Sequence, residues 1–104
     1  MGLYEGMFIL SPDVDGESLE KEIDYLKNEV VKLLGEISEA KALGKRRLAY
    51  PINKVKDGFY LLINFAAKSD IIDPFLKKVR LNPNVLRAQV FKKEKHSISE
   101  IRAN

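Results

Sequence analysis

Two helical stripes limit what this chain can fold into. Leu19, Ile23, Leu26, Val30 and Leu33 recur at steps of four and three, which puts them on one face of a helix about four turns long. A second stripe runs through Ile71, Ile72, Phe75, Leu76 and Val79. Each stripe is apolar on one side only, so each needs a surface to cover. Four extended runs can supply it: one before the first helix, two between the helices and one after the second. The order strand, helix, strand, strand, helix, strand is satisfied by a four-stranded antiparallel sheet with both helices on one face. This is the α+β arrangement called ferredoxin-like, βαββαβ.

The extended runs carry their own positional signals. Residues 3–10 are apolar on both sides apart from Glu5, as expected of a strand inside the sheet. The stretch SPDVDGES that follows is turn chemistry with several candidate caps. Acidic residues crowd the start of the first helix, where the helix dipole favours them, and Gly35 is expected to stop it. Residues 36–52 read as one long strand interrupted at Gly44, a place for a bend or bulge. Pro51 cannot donate a ladder hydrogen bond, so this strand belongs at an edge; in the βαββαβ topology the second and fourth strands are the edges. NKVKDG reads as a hairpin turn, with residues 58–67 as the return strand. Ser69 is expected to cap the second helix, Pro74 falls in its first turn where a missing N–H matters least, and LNPN closes it. Residues 85–93 form the last strand. One domain over residues 1–93 follows, with a loosely ordered tail over residues 94–104.

Net charge is only +3, and its distribution matters more than its size. Residues 1–43 carry ten acidic side chains against four basic, whereas residues 44–104 carry fourteen basic against five acidic. Such a chain should present an acidic side and a basic side, and a polyanion can bind the basic one. Chance clustering on solvated surfaces is the competing explanation. The absence of cysteine excludes disulfides, thiol nucleophiles and thiolate-bound metal, and fits a reducing compartment. The apolar N-terminal run is short, lacks a basic leader and contains Glu5. It reads as neither a signal peptide nor a membrane span, so a cytoplasmic protein with no membrane partner is expected.

Alternation assigns side chains to the two faces of the sheet. Phe59, Leu61, Ile63 and Phe65 should point toward the helices, with Gly6, Phe8 and Leu10 from the first strand and Ala88 and Val90 from the fourth. Glu5, Met7, Ile9, Tyr60, Leu62, Asn64, Arg87, Gln89 and Phe91 should point the other way. The uncovered face would then show Met7, Ile9, Tyr60, Leu62 and Phe91 together, a patch of the kind that marks a protein partner. A tail or loop folded over it is the alternative.

Signals for catalysis are missing. His96 is the single histidine and has no nucleophile near it in sequence. No phosphate-binding or dinucleotide glycine fingerprint occurs, and the acidic residues of the first helix are expected on its solvent side. No enzyme activity, cofactor, metal or small-molecule substrate is expected. The RNA-recognition module shares this element order, but it stacks bases on aromatics of its third strand. Here that strand reads DGFYLLINF: Leu61 takes the place of the second stacking aromatic, and Phe59 falls on the inward face. Any RNA binding should therefore use positive charge at an edge and at loops, through phosphate contacts.

GKRRLAYPI, residues 44–52, is where such charge concentrates. Alternation places Arg46 with Leu48, Tyr50 and Ile52, and Arg47 with Lys45, Ala49 and Pro51. Adjacent arginines on opposite faces cannot serve one flat surface. One should meet a partner or a phosphate, for which the planar guanidinium fork is suited, while the other lies along the flank of a core residue. A charged sheet edge without a partner remains the plainer reading.

Four pieces of the sequence resemble one family, that of bacterial small-subunit ribosomal protein six. They are Tyr4-Glu5, the block LGKRRLAYPI, Gly58-Phe59-Tyr60, and the run NPNVLRAQVFKKEKH. The resemblance implies a structural protein of the small ribosomal subunit that binds the central domain of 16S ribosomal RNA together with small-subunit ribosomal protein eighteen. On the matching positions it implies Arg46, Arg47, Tyr50, Arg87, Lys92 and Lys95 as RNA or partner contacts, with Lys45, Arg80 and Lys93 as secondary RNA contacts. A different class of function is a ferredoxin-like regulatory or oligomerising module whose open sheet face mediates self-association.

Overall fold

The computed structural model describes residues 2–14, 16–33, 35–52 and 55–93, with the backbone path alone for residues 49–52. The elements follow in the expected order: β1 (Gly2–Leu10), α1 (Gly16–Lys32), β2 (Glu36–Ile52), β3 (Val55–Ala67), a 3-10 turn (Ser69–Ile71), α2 (Ile72–Val79) and β4 (Val85–Lys93). The sheet is antiparallel with strand order β2-β3-β1-β4. β1 is therefore interior, and the strand carrying Pro51 is an edge, as its missing N–H requires. The expected tail from Glu94, with Lys95 and His96, lies outside the described residues.

Three aromatics tie the layers together. Phe75 of α2 meets Phe8 of β1 edge-on at 6.0 Å and Phe65 of β3 at 6.1 Å. Tyr4 stacks on Phe65 at 5.8 Å. Leu26 and Val30 of α1 close the core beside them, with Leu19, Ile23 and Leu33 packed partly against it. This is the stripe read from sequence, and burying it against the sheet is what makes α1 stable, since isolated helices of this length are marginal. The Gly35 N–H bonds back to the Val30 carbonyl at 2.9 Å and ends the helix there.

β2 is irregular where Gly44 predicted it. Leu43 is skipped in the pairing with β3, and Gly44 takes φ +86°, a value that a residue with a Cβ adopts only under strain. Two local expectations fail. Val55, Lys56 and Asp57 belong to β3 rather than to the turn, because pairing with β2 resumes at Ile52 opposite Val55. Ser69 does not cap α2: it opens the 3-10 turn, whose N-cap is Lys68, and neither α2 nor that turn receives a side-chain cap.

The α1 acids do not all face solvent, as the sequence suggested. Glu29 is only 3% exposed; it ties α1 to α2 through Lys78 at 3.0 Å and pairs along its own helix with Lys32 at 3.4 Å. Burial pushes its carboxyl up, but the Lys78 hydrogen bond and the charges of Lys32 and Lys78 outweigh it and hold its pKa below the ordinary value. Glu22 clamps the loop after α2. Its carboxylate accepts hydrogen bonds from Asn82 Nδ2 at 2.7 Å and Asn84 Nδ2 at 3.2 Å, while Asn82 Oδ1 accepts from the Asn84 N–H at 2.9 Å. The NPN motif is thus a structural joint between α1 and β4.

Candidate nucleic-acid and partner interface

Where β1 ends, the hairpin of β2 and β3 continues. β1 pairs with β3 only as far as Leu10 opposite Phe59, while β2 goes on to place Arg46 opposite Gly58 and Arg47 opposite Asp57. The basic block therefore lies on a two-stranded ribbon projecting past the four-stranded sheet. Facing residues in an antiparallel pair share a face. Arg46 accordingly lies on the open face with Gly58, and Arg47 on the helix-side face with Asp57, as alternation predicted. Lys45, Arg46, Arg47 and Lys56 are all exposed, and none lies within 4.0 Å of a described carboxylate. The Tyr50 side chain is outside the described residues.

The open face can be read in rows across the strands. Gly44, Tyr60, Ile9 and Arg87 form one row, and Lys41, Leu62, Met7 and Gln89 the next. Glu39, Asn64, Glu5 and Phe91 come third, then Glu36, Ala66, Leu3 and Lys93. Charge thus grades along the face, from Arg46 and Arg87 at the ribbon end to Glu5, Glu36 and Glu39 at the other. Apolar side chains lie between: Met7, Tyr60 and Leu62 are half-buried and Phe91 is 51% exposed. Ile9 departs from the expected patch, being 4% exposed. Its neighbour Gly58 has no side chain, and Ile9 and Leu48 close over the gap. A Cβ at Gly58 would collide with Ile9 Cγ2 and stand 3.5 Å from Leu48 Cδ2. Leu48, buried with it, is a residue the sequence reading did not assign to this face's packing.

The fourth strand splits its basic residues between faces and ends. Arg87 is half-buried on the open face, where it is engaged by a contact within the protein. Lys92 lies opposite Tyr4 on the helix-side face, and Lys93 returns to the open face, 3.7 Å from Glu5. Arg87 and Lys92 are roughly 17 Å apart along the strand at about 3.4 Å per residue. Arg80 sits at the end of α2 and donates from Nη2 to the Ala88 carbonyl at 2.9 Å, fastening α2 to β4. The sequence-derived basic set is therefore not one site. Lys45, Arg46 and Arg47 gather at the ribbon end, with Arg87 toward that end on the other edge strand. Lys92 and Lys93 lie at the opposite end, and Lys95 is outside the described residues.

Stacking of bases on the sheet finds no support in this geometry. Leu61 is buried and Phe59 packs against the core from the helix side. Among the described residues no cluster of three or more His, Asp or Glu side chains could hold a metal ion, and no helix is long and apolar enough to cross a membrane.

Comparison with known proteins agrees with this architecture. Residues 3–92 match the family model described as "Ribosomal protein S6". Small ribosomal subunit protein bS6 of Halalkalibacterium halodurans is 41% identical over 95 residues, covering 90% of this chain and 99% of that protein. The bS6 protein of Shouchella clausii is 42% identical over 95 residues, with 90% and 99% covered. The crystal structure of 30S ribosomal protein S6 from Thermotoga maritima superposes with a TM-score of 0.86 at 28% identity, covering 98% of this chain and 96% of that one. The C-terminal domain of MgtC from Mycobacterium tuberculosis shares the fold alone, with a TM-score of 0.57 at 13% identity over 91% of this chain and 90% of that one.

Proposed function

The chain belongs to the ribosomal protein S6 family, and on that premise we propose that it is a structural component of the small ribosomal subunit that binds the central domain of 16S ribosomal RNA together with small-subunit ribosomal protein eighteen. Its place of work is then the ribosome in the cytoplasm, and its role is assembly rather than catalysis. The observation that carries this reading is the ribbon: two exposed arginines on opposite faces, with no carboxylate partner among the described residues, beside a partly apolar sheet face. Opposite faces allow one arginine to meet phosphate while the other meets protein, so RNA and partner bind at one place and assist each other. Met7, Tyr60, Leu62 and Phe91 offer the partner its apolar contact, and the acidic end of that face suits a basic segment.

The test is binding of the whole chain to a central-domain fragment of the RNA across a salt series, with and without protein eighteen. Tight binding that requires the partner is expected, and Arg46→Ala or Arg47→Ala should each weaken it by about 1–3 kcal/mol. Equal and weak binding to any RNA, with no help from protein eighteen, would overturn the proposal. A stable homodimer through the open face would then make self-association the better reading.

A further inference from the structure

The two edges of the sheet are protected in different ways. β2 breaks its own ladder: its pairing skips Ser38 and Leu43, Gly44 takes a positive φ, and Pro51 lacks an N–H. β4 has none of these devices over most of its length. From Arg87 to Lys93 it pairs residue for residue with Ile9 to Leu3, and no proline or glycine interrupts it. A straight edge of this kind is a template for another strand unless something covers it.

The backbone pattern shows which groups this edge offers. The Ser11 N–H donates to the Asn84 carbonyl at 2.8 Å, so the odd-numbered residues of β1 turn their backbone groups toward β4. Arg87, Gln89 and Phe91 lie opposite them and complete that ladder. The N–H and C=O groups of Ala88, Val90 and Lys92 therefore point outward, where the sheet has no further strand. One of these groups is taken. Arg80, at the end of α2, donates from Nη2 to the Ala88 carbonyl at 2.9 Å. An open recess of about 500 Å³, lined by Arg80 and residues 85–89, lies alongside.

We propose that Arg80 is a lock on the β4 edge, and that the strand it excludes is β4 of a second copy of this chain. Two such strands, antiparallel about Val90, would run in register from Arg87 to Lys93. Val90 would lie opposite Val90, and Ala88 opposite Lys92 of the other copy, with the outward donors and acceptors matched. Arg87 would face Lys93, each already engaged within its own copy. Arg80 opposes this pairing twice. Its charge-assisted bond occupies the carbonyl that the Lys92 N–H of the other copy needs. Its guanidinium also stands where that copy would bring the exposed Lys92 ammonium on the same helix-side face. The lock goes beyond the RNA-binding reading above and does not depend on it.

The experiment follows the full chain by sedimentation equilibrium and by amide hydrogen exchange. In the wild-type monomer the Ala88, Val90 and Lys92 amides should exchange about tenfold or more faster than those of Arg87, Gln89 and Phe91. Arg80→Ala should self-associate about tenfold or more tightly than the wild type, and its Ala88, Val90 and Lys92 amides should slow as the dimer forms. Arg80→Gln keeps part of the side-chain stem and loses the charge, so it should shift both readouts the same way by a smaller factor. A folded Arg80→Ala that stays monomeric would overturn the lock. So would a dimer in which those three amides remain fast, because the contact would then lie elsewhere, as on the open face. Slow exchange of the three amides in the wild-type monomer would show the edge already covered, and would overturn it too. If Arg80→Ala does not fold, Arg80→Gln decides the matter by the same two readouts.

Discussion

The two faces of one sheet follow the same alternation and end in different states. On the helix side Phe8, Leu61, Ile63 and Phe65 are sealed beneath Phe75, Leu26 and Val30. On the open side Met7, Tyr60 and Leu62 keep part of their surface in water, and Phe91 keeps half. Only around Gly58 does the open side close on itself, where Leu48 and Ile9 meet across the missing side chain. The charges differ between regions too: Glu29, between the helices, engages Lys32 and Lys78, whereas Arg46 and Arg47, on opposite faces of the projecting ribbon, have no described carboxylate within 4.0 Å. The helix-side face spends its apolar groups on the fold, while the open face keeps part of its apolar surface in water.

That contrast can be broken most severely from the helix side. Phe75→Ala removes the ring that touches both Phe8 and Phe65, and urea unfolding should show a loss of about 3–5 kcal/mol. A loss below about 1 kcal/mol would mean that the aromatic core is not what holds α2 to the sheet. Next comes the closed corner of the open face. Gly58→Val forces a side chain into the space held by Ile9 and Leu48, and overpacking of this kind should cost about 1–3 kcal/mol. If thermal unfolding of that variant matches the wild type, the corner is looser than the close approach of Ile9 to Gly58 indicates.

A smaller effect is expected at the helix–helix ion pair, and pH gives it a signature. Glu29 has its pKa lowered in the folded protein, so its contribution is present above the pKa it has in the unfolded chain and fades as pH falls through the folded value. Glu29→Gln should cost about 1–2 kcal/mol at pH 7, and the gap between variant and wild type should close in acid. A gap independent of pH would assign the loss to packing instead. The smallest stability change belongs to Phe91→Ser on the open face, within about 0.5 kcal/mol. Under the proposed function, the same substitution should weaken association with protein eighteen severalfold, as seen by calorimetry. A large loss of stability with unchanged association would erase the distinction between the two faces.

Much of this architecture was legible in the chain. The two stripes, the irregularity at Gly44, the edge position implied by Pro51 and the opposite faces of Arg46 and Arg47 are all local patterns, each set by backbone geometry within a few residues. What escaped depended on distant neighbours. Ile9 reads as exposed because nothing near it in sequence announces that Leu48 will lie over Gly58. Glu29 reads as one more surface acid until α2 brings Lys78 to it, and Asn82 and Asn84 read as turn residues until Glu22 is seen to bind both.

Periodicity and turn chemistry were enough, by themselves, to determine the element order, the edge strands and the side of each strand that faces the helices, because these follow from steps of two and of three to four along one backbone. Which lysines are neutralised, which apolar residues stay wet and which donors are left over was decided by tertiary structure alone. Burial and Coulomb attraction act over a few ångströms in space, and residues such as Glu29 and Lys78 or Ile9 and Leu48 reach that distance only once the chain has folded.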